Sequence, residues 1–180
     1  MKVISGKLKG RVIKGYDING TRPTMDRVKE SLFAIIQDYI PGSLCLDLFA
    51  GSGSLGIEAI SMGARKVYFV DKNKMAINTI KTNINNFNID NQSVIINKDY
   101  KRVISELKDI KFDIIFLDPP YDTDYISLSL NLIEKENIIN DNGIIVLETD
   151  NINKIDYSNN YEKIKEKKYG DKVIVILKKI

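Results

Sequence analysis

From Leu44 onward the apolar positions fall into two alternating rhythms. Short runs at Leu44–Phe49, Lys66–Val70, Ser93–Ile96, Phe112–Leu117 and Gly143–Glu148 have the length and continuity of buried strands. Between them lie stretches with helical spacing. These cover about Ser54–Met62, then Lys74–Phe87 with Ile77, Ile80, Ile84 and Phe87 on one side, Tyr100–Lys108, and Tyr125–Glu136. Two further β-like runs, Tyr161–Lys168 and Lys172–Lys178, are separated only by Tyr169-Gly170-Asp171. Alternating strands and helices predict a doubly wound, mostly parallel seven-stranded α/β sheet with helices on both faces. The last two strands have too short a connection for a parallel crossover, so they must close the sheet as an antiparallel hairpin.

Upstream the rhythm differs. Residues 1–20 alternate short apolar stretches with Gly6, Gly10, Gly15 and an Asn19-Gly20 turn signal, which reads as a small β-rich arm. Arg22-Pro23-Thr24 then opens a helix, with Thr24 as N-cap and Asp26 in the first turn. Val28, Leu32, Ile35 and Ile36 follow at helical spacing until Pro41-Gly42 ends the element. The chain divides on this reading into an arm over 1–22 and an α/β domain over 23–180. With 180 residues the chain is long enough for one sizeable core.

Composition matters chiefly through what is missing. There is no histidine, and Cys45 is the single cysteine, within the apolar run Leu44-Cys45-Leu46 where a small buried hydrophobe belongs. A Ser-His or Cys-His nucleophile pair cannot be built, and no metal site is expected. The longest apolar runs, such as Ile114–Leu117, are too short to span a bilayer, and the N-terminus lacks a secretory stretch. No membrane association, a cytoplasmic location and a monomeric state are therefore expected. Net charge is only +3, but unevenly placed. Lys2, Lys7, Lys9, Arg11 and Lys14 all precede the first acid, Asp17, and read as phosphate contacts. The cluster Lys163, Lys165, Lys167 and Lys168 is interleaved with Glu162 and Glu166 and reads as a solvated strand face.

Two motifs carry chemistry. After the first strand comes Asp47-Leu48-Phe49-Ala50-Gly51-Ser52-Gly53-Ser54-Leu55-Gly56, with Gly51, Gly53 and Gly56 at the spacing of a nucleotide-binding turn. Asp71 ends the next strand, where a carboxylate can hold both ribose hydroxyls. Asp47 adds a second carboxylate, which suits a cationic ligand better than a pyrophosphate. S-adenosylmethionine carries a sulfonium and an ammonium and no phosphate. Asp99 ends the third strand, where it can meet an adenine amino group or cap the following helix, and the two roles are compatible. Phe49, Ala50, Lys72 and Tyr100 flank these positions and join the cofactor-binding candidates.

The second motif, Asp118-Pro119-Pro120-Tyr121, follows the fourth strand. Ligands of open α/β sheets bind beyond the carboxyl ends of the strands at the switch point, so both motifs are expected to face one crevice. An exocyclic amine on a nucleobase is a weak nucleophile because its lone pair is delocalised into the ring. The Asp118 carboxylate and the Pro119 carbonyl can each accept one of its N–H bonds and hold the lone pair toward a methyl donor. Pro119 and Pro120 restrict φ and so preset these oxygens. Tyr121 offers a face on which a flipped base can stack.

These segments, together with Ile4-Ser5-Gly6-Lys7-Leu8-Lys9-Gly10-Arg11 and Arg22-Pro23-Thr24-Met25-Asp26-Arg27-Val28-Lys29-Glu30-Ser31-Leu32-Phe33, are similar to the RsmD-type small-subunit ribosomal RNA guanine-N2 methyltransferases. The resemblance spans nearly the whole chain, and a doubly wound sheet ending in a hairpin is what such class I methyltransferases have. It implies S-adenosylmethionine as cofactor and methylation of one guanine N2 in 16S rRNA, within the small subunit or an assembly intermediate. It also implies that Arg22, Thr24 and Arg27 lie beside the crevice, Thr24 toward cofactor and Arg22 and Arg27 toward RNA. DNA adenine-N6 methylation uses the same Asp-Pro-Pro-Tyr chemistry and is the nearest rival, although only about twenty residues precede Arg22, too few for a separate duplex-reading region. A non-catalytic nucleic-acid-binding module is the rival of another class.

Overall fold

The computed structural model describes residues 1–15, 23–120 and 124–180, with the side chains of residues 23–25 and 154 outside that description. Arg22 and Tyr121 thus lie outside the described residues, as does the Thr24 side chain. Seven strands form one sheet: β1 (Leu44–Asp47), β2 (Lys66–Val70), β3 (Ser93–Ile96), β4 (Phe112–Leu117), β5 (Ile139–Thr149), β6 (Tyr161–Tyr169) and β7 (Lys172–Lys179). Their order is β3-β2-β1-β4-β5-β7-β6. The first five pair in parallel, and β7 pairs antiparallel with both β5 and β6. The order reverses between β1 and β4, which places the switch point between the two motif-bearing strands.

Five helices cover the sheet: α1 (Pro23–Ile36), α2 (Ser54–Ser61), α3 (Lys74–Phe87), α4 (Tyr100–Glu106) and α5 (Tyr125–Glu136). Successive strand side chains point to opposite faces, and both faces are buried. Ile114 and Phe116 of β4 join one core with residues of α1, α2 and α3, while Ile115 and Leu117 join the other with α4 and α5. No helix among the described residues is long and apolar enough to cross a membrane.

Several expected bounds change, and Thr24, expected as an N-cap, falls inside α1, which begins at Pro23 and ends at Ile36. The strand expected over Gly143–Glu148 starts at Ile139, because Ile139 pairs with Phe112 before a register shift and Asn142 takes φ 62° within it. The polar run Asn140-Asp141-Asn142 has turn composition, but its neighbour β4 supplies the pairing. The first strand ends at Asp47, since the backbone of Leu48, Phe49 and Ala50 has already begun the glycine turn.

The arm is less β-rich than its pattern predicts. It has one isolated bridge, Lys2 with Val12, and a short 3-10 turn over Gly6–Leu8. Val3, Leu8 and Ile13 are buried in the α1–α3 core. A buried Glu58 on α2 accepts the backbone N–H groups of Ile4, at 3.0 Å, and of Ser5, at 2.7 Å. Lys29 of α1 sits 3.1 Å from the same carboxylate and also donates to the Lys2 carbonyl at 2.7 Å and to Ser54 Oγ at 3.1 Å. The arm is held by acceptors on α2, so its chain needs few strand partners of its own.

Candidate active site

A crevice of about 400 Å³ opens at the carboxyl ends of the parallel strands, within the range of small-molecule sites. Its floor and one wall come from the loop after β1. Gly53 takes φ 82°, a conformation that L side chains rarely adopt, and caps α2. A Cβ on Gly56 would lie 2.3 Å from the Phe69 ring, so that glycine lets α2 pack closely on β2. Gly51 lines the crevice and donates its N–H to Asp71 Oδ2 at 3.0 Å.

Asp71 also accepts from the Asn73 N–H through Oδ1, at 2.8 Å. Each carboxylate oxygen is thus aimed by one backbone donor and keeps lone-pair capacity for a ligand hydroxyl. Asp99 lines the crevice while its Oδ1 caps α4 by accepting from Lys101 N–H at 3.0 Å, so the two roles read from its position coexist. Phe49, Tyr100 and Tyr125 form an aromatic wall. The Phe49 and Tyr125 rings stack with centroids 6.0 Å apart and planes 4° from parallel. Tyr100 lies 5.1 Å from Phe49, and its buried hydroxyl has no hydrogen-bond partner among the described residues. Lys72 Nζ sits 5.7 Å above the Tyr125 ring.

This arrangement fits S-adenosylmethionine. The aromatic wall suits an adenine ring, Asp71 suits ribose hydroxyls, and the unsatisfied Tyr100 hydroxyl and the Asp99 carboxylate offer polar anchors. Two carboxylates near the ligand favour a cationic group over a pyrophosphate.

Asp118, Pro119 and Pro120 line the same crevice, which brings the two motifs together as their strand positions predict. Asp118 is exposed where it opens to the crevice, with the surrounding chain packed close about its base. Loss of water to the surrounding chain first, and the Glu148 carboxylate second, push its carboxyl up to about 7, while the Lys172 ammonium partly offsets them.

Other predicted residues fall elsewhere. Asp47 lies beneath the glycine loop, 1% exposed, with Oδ2 accepting the Gly56 N–H at 3.1 Å. Burial pushes its carboxyl up to about 7. Ala50 and Gly53 build the turn without lining the crevice. Lys7 donates to Gln92 Oε1 at 2.6 Å, and Arg11 donates to the Asn86 carbonyl and lies 4.5 Å from the Phe87 ring centroid. Gln92 immediately precedes β3 and Phe87 ends α3, so both cations sit toward the amino ends of the strands, away from the crevice. Lys9 and Arg27 are exposed.

Three crevice residues, Asn73, Tyr125 and Lys172, were not predicted. Tyr125 opens the helix that follows the reactive motif, and an aromatic there is a signal that sequence reading can use. Lys172 comes from the distant hairpin, and no local pattern marks it.

Comparison with known proteins agrees with this geometry. The family model described as conserved hypothetical protein 95 matches residues 1–178. The Haemophilus influenzae ribosomal RNA small subunit methyltransferase D is 36% identical over 94% of this chain and 89% of its own. The same-named protein of Buchnera aphidicola from Acyrthosiphon pisum is 38% identical over 92% of this chain and 86% of its own. The solved structure of Escherichia coli yhhF superposes with a TM-score of 0.88 at 26% identity, covering 99% of this chain and 97% of that one. With the glycine turn, the Asp-Pro-Pro segment and the hairpin-ended sheet in place, the chain belongs to the conserved hypothetical protein 95 family, that of the small-subunit methyltransferases D, and is a class I S-adenosylmethionine-dependent methyltransferase.

Proposed function

We propose that this protein methylates the N2 amine of one guanine in small-subunit ribosomal RNA. The observation that carries the reading is the convergence of Asp118 and Pro119 with the Gly51–Asp71 side on one crevice. The relatives named as small-subunit rRNA methyltransferases support the choice of RNA.

The bound cofactor supplies an electrophilic methyl on a sulfonium that leaves as a neutral thioether. Asp118 accepts one N–H of the target amine and the Pro119 carbonyl accepts the other, so the nitrogen lone pair is held toward the methyl. Fixed acceptors at this point need no reorganisation during the reaction. As the N–C bond forms, the nitrogen gains positive charge, and the Asp118 carboxylate takes its surplus proton and passes it to water. Tyr121 is assigned the stacking face for the flipped base. Lys9, Arg22 and Arg27 remain the basic candidates for RNA contact, whereas the placement of Lys7 and Arg11 makes them weaker ones.

Incubating the protein with tritiated S-adenosylmethionine and unmodified small subunits, naked 16S rRNA or DNA, followed by nucleoside analysis, tests the reading. Label in N2-methylguanosine is the expected result. Label confined to N6-methyladenine in DNA overturns the substrate.

A further inference from the structure

Asp118 does not stand alone on its face of the sheet. Leu117, the last residue of β4, pairs with Leu147 of β5, and that register continued by one residue sets Asp118 beside Glu148. Glu148 in turn pairs with Ile174 of β7, and Lys172 of the same strand donates to Glu148 Oε1. Ile114, Phe116, Ile144, Val146, Ile174 and Ile176 all enter the α1–α3 core. By strand alternation, Asp118, Glu148 and Lys172 therefore project on that same face. They form a row reading carboxylate, carboxylate, ammonium. Asp118 and Lys172 line the crevice, and Glu148 lies between them with its side chain 14% exposed.

The Watson–Crick edge of guanine presents the N2 amine, the N1–H and the O6 carbonyl in line, as donor, donor and acceptor. We propose that Glu148 and Lys172 read this edge, Glu148 accepting the N1–H and Lys172 donating to O6, while Asp118 and Pro119 hold the N2 amine. This inference rests on the guanine-N2 reading and adds how the site tells guanine from adenine. Adenine placed with its amine at Asp118 brings the unprotonated N1 acceptor toward the Glu148 carboxylate. Two acceptors then face each other without a proton between them, which is an element of rejection as well as a lost bond. Lysine to guanine O6 is among the common base contacts in nucleic-acid recognition.

A structural ion pair between β5 and β7 is the competing account. The buried lysine–glutamate pair Lys29–Glu58 has that character, with both side chains at most 4% exposed and backbone N–H groups filling the carboxylate. Lys172, by contrast, is 31% exposed and opens into the crevice beside the reactive loop.

The test uses small subunits reconstituted with 16S rRNA carrying guanosine, 2-aminopurine or 2,6-diaminopurine at the mapped target. All three bases keep the 2-amine, but both analogues lose the N1–H and the O6 carbonyl. The native enzyme is expected to prefer guanosine in kcat/KM by about 100-fold or more. Glu148→Gln and Lys172→Met should each shrink that preference by about 10-fold, with Lys172→Arg restoring it. S-adenosylhomocysteine affinity, measured alongside, should stay within a few fold and reports that the variants are folded. Equal turnover of the three bases by the native enzyme overturns the inference while leaving guanine-N2 methylation standing. An unchanged preference in variants that bind S-adenosylhomocysteine does the same. With the guanosine-bearing subunits, label in a nucleoside other than N2-methylguanosine, or in none, overturns both readings.

Discussion

Strands β1 and β4 lie side by side, run parallel, and each carries an aspartate at its carboxyl end on the same face of the sheet. Both carboxyls are pushed up to about 7. Their surroundings differ. Asp47 is sealed under the glycine loop and its acceptor is taken by the Gly56 N–H. Asp118 faces the crevice, set between two prolines and the substrate space. The contrast repeats one step outward. The β1 side has the buried Lys29–Glu58 pair, which ties the arm to α1 and α2, and the β4 side has the partly exposed Lys172–Glu148 pair, whose lysine lines the crevice. On the proposed reading, the same residue types serve architecture on one side and chemistry on the other. Access to the ligand space separates the two sides, whereas residue type and a raised pKa do not.

The contrast can be broken from either side. The largest effect is expected at Asp118: Asp118→Asn should lower methyl transfer by about 100- to 1000-fold, as does loss of one preset polar group in comparable sites. Cofactor affinity, read by calorimetry with S-adenosylhomocysteine, should remain within a few fold. Glu58→Ala should act on stability instead. It strands the Lys29 ammonium in the core together with two arm N–H groups, and denaturant unfolding should show a loss of about 3–5 kcal/mol. Asp71→Ala falls between these functions and should weaken cofactor binding by about 1–3 kcal/mol through the lost ribose bonds.

The smallest effect sharpens the comparison. Asp47 is harder to ionise when folded than when unfolded, so its contribution to stability is fully present below the ordinary carboxylate range. It is lost as pH rises through about 7. Asp47→Asn keeps an acceptor for Gly56 and removes the charge. Its unfolding free energy should therefore fall less than that of the native protein between pH 4 and 8, with turnover little changed.

Much of this was legible in the chain. Strand and helix rhythm from Leu44 onward predicted the order of elements, because each βα unit buries its own apolar face locally. Asp71, Asp99 and Asp118 were placed by their positions at strand ends. Contacts between distant segments were not legible. The acceptor of the arm is Glu58, whose neighbours in sequence mark it only as part of a helix, and the arm was read as strands for want of that partner. Asp47 was assigned to the ligand because spacing cannot tell the upper from the lower side of a tight turn. Lys7 and Arg11 were assigned to RNA from charge alone, and the folded arm carries them to Gln92 and Asn86.

The measurement that tests the central claim most directly is kcat/KM for methylation of small subunits as a function of pH, in the native protein and in Asp118→Asn. Asp118 can take up the proton that the amine loses only when it is ionised. The native rate should therefore climb with pH along a limb centred near about 7, and the variant should lack both that limb and most of the rate. A native profile flat between pH 5 and 9, or a variant that retains near-native turnover, would contradict the assignment of Asp118 as the acceptor on which the reaction depends.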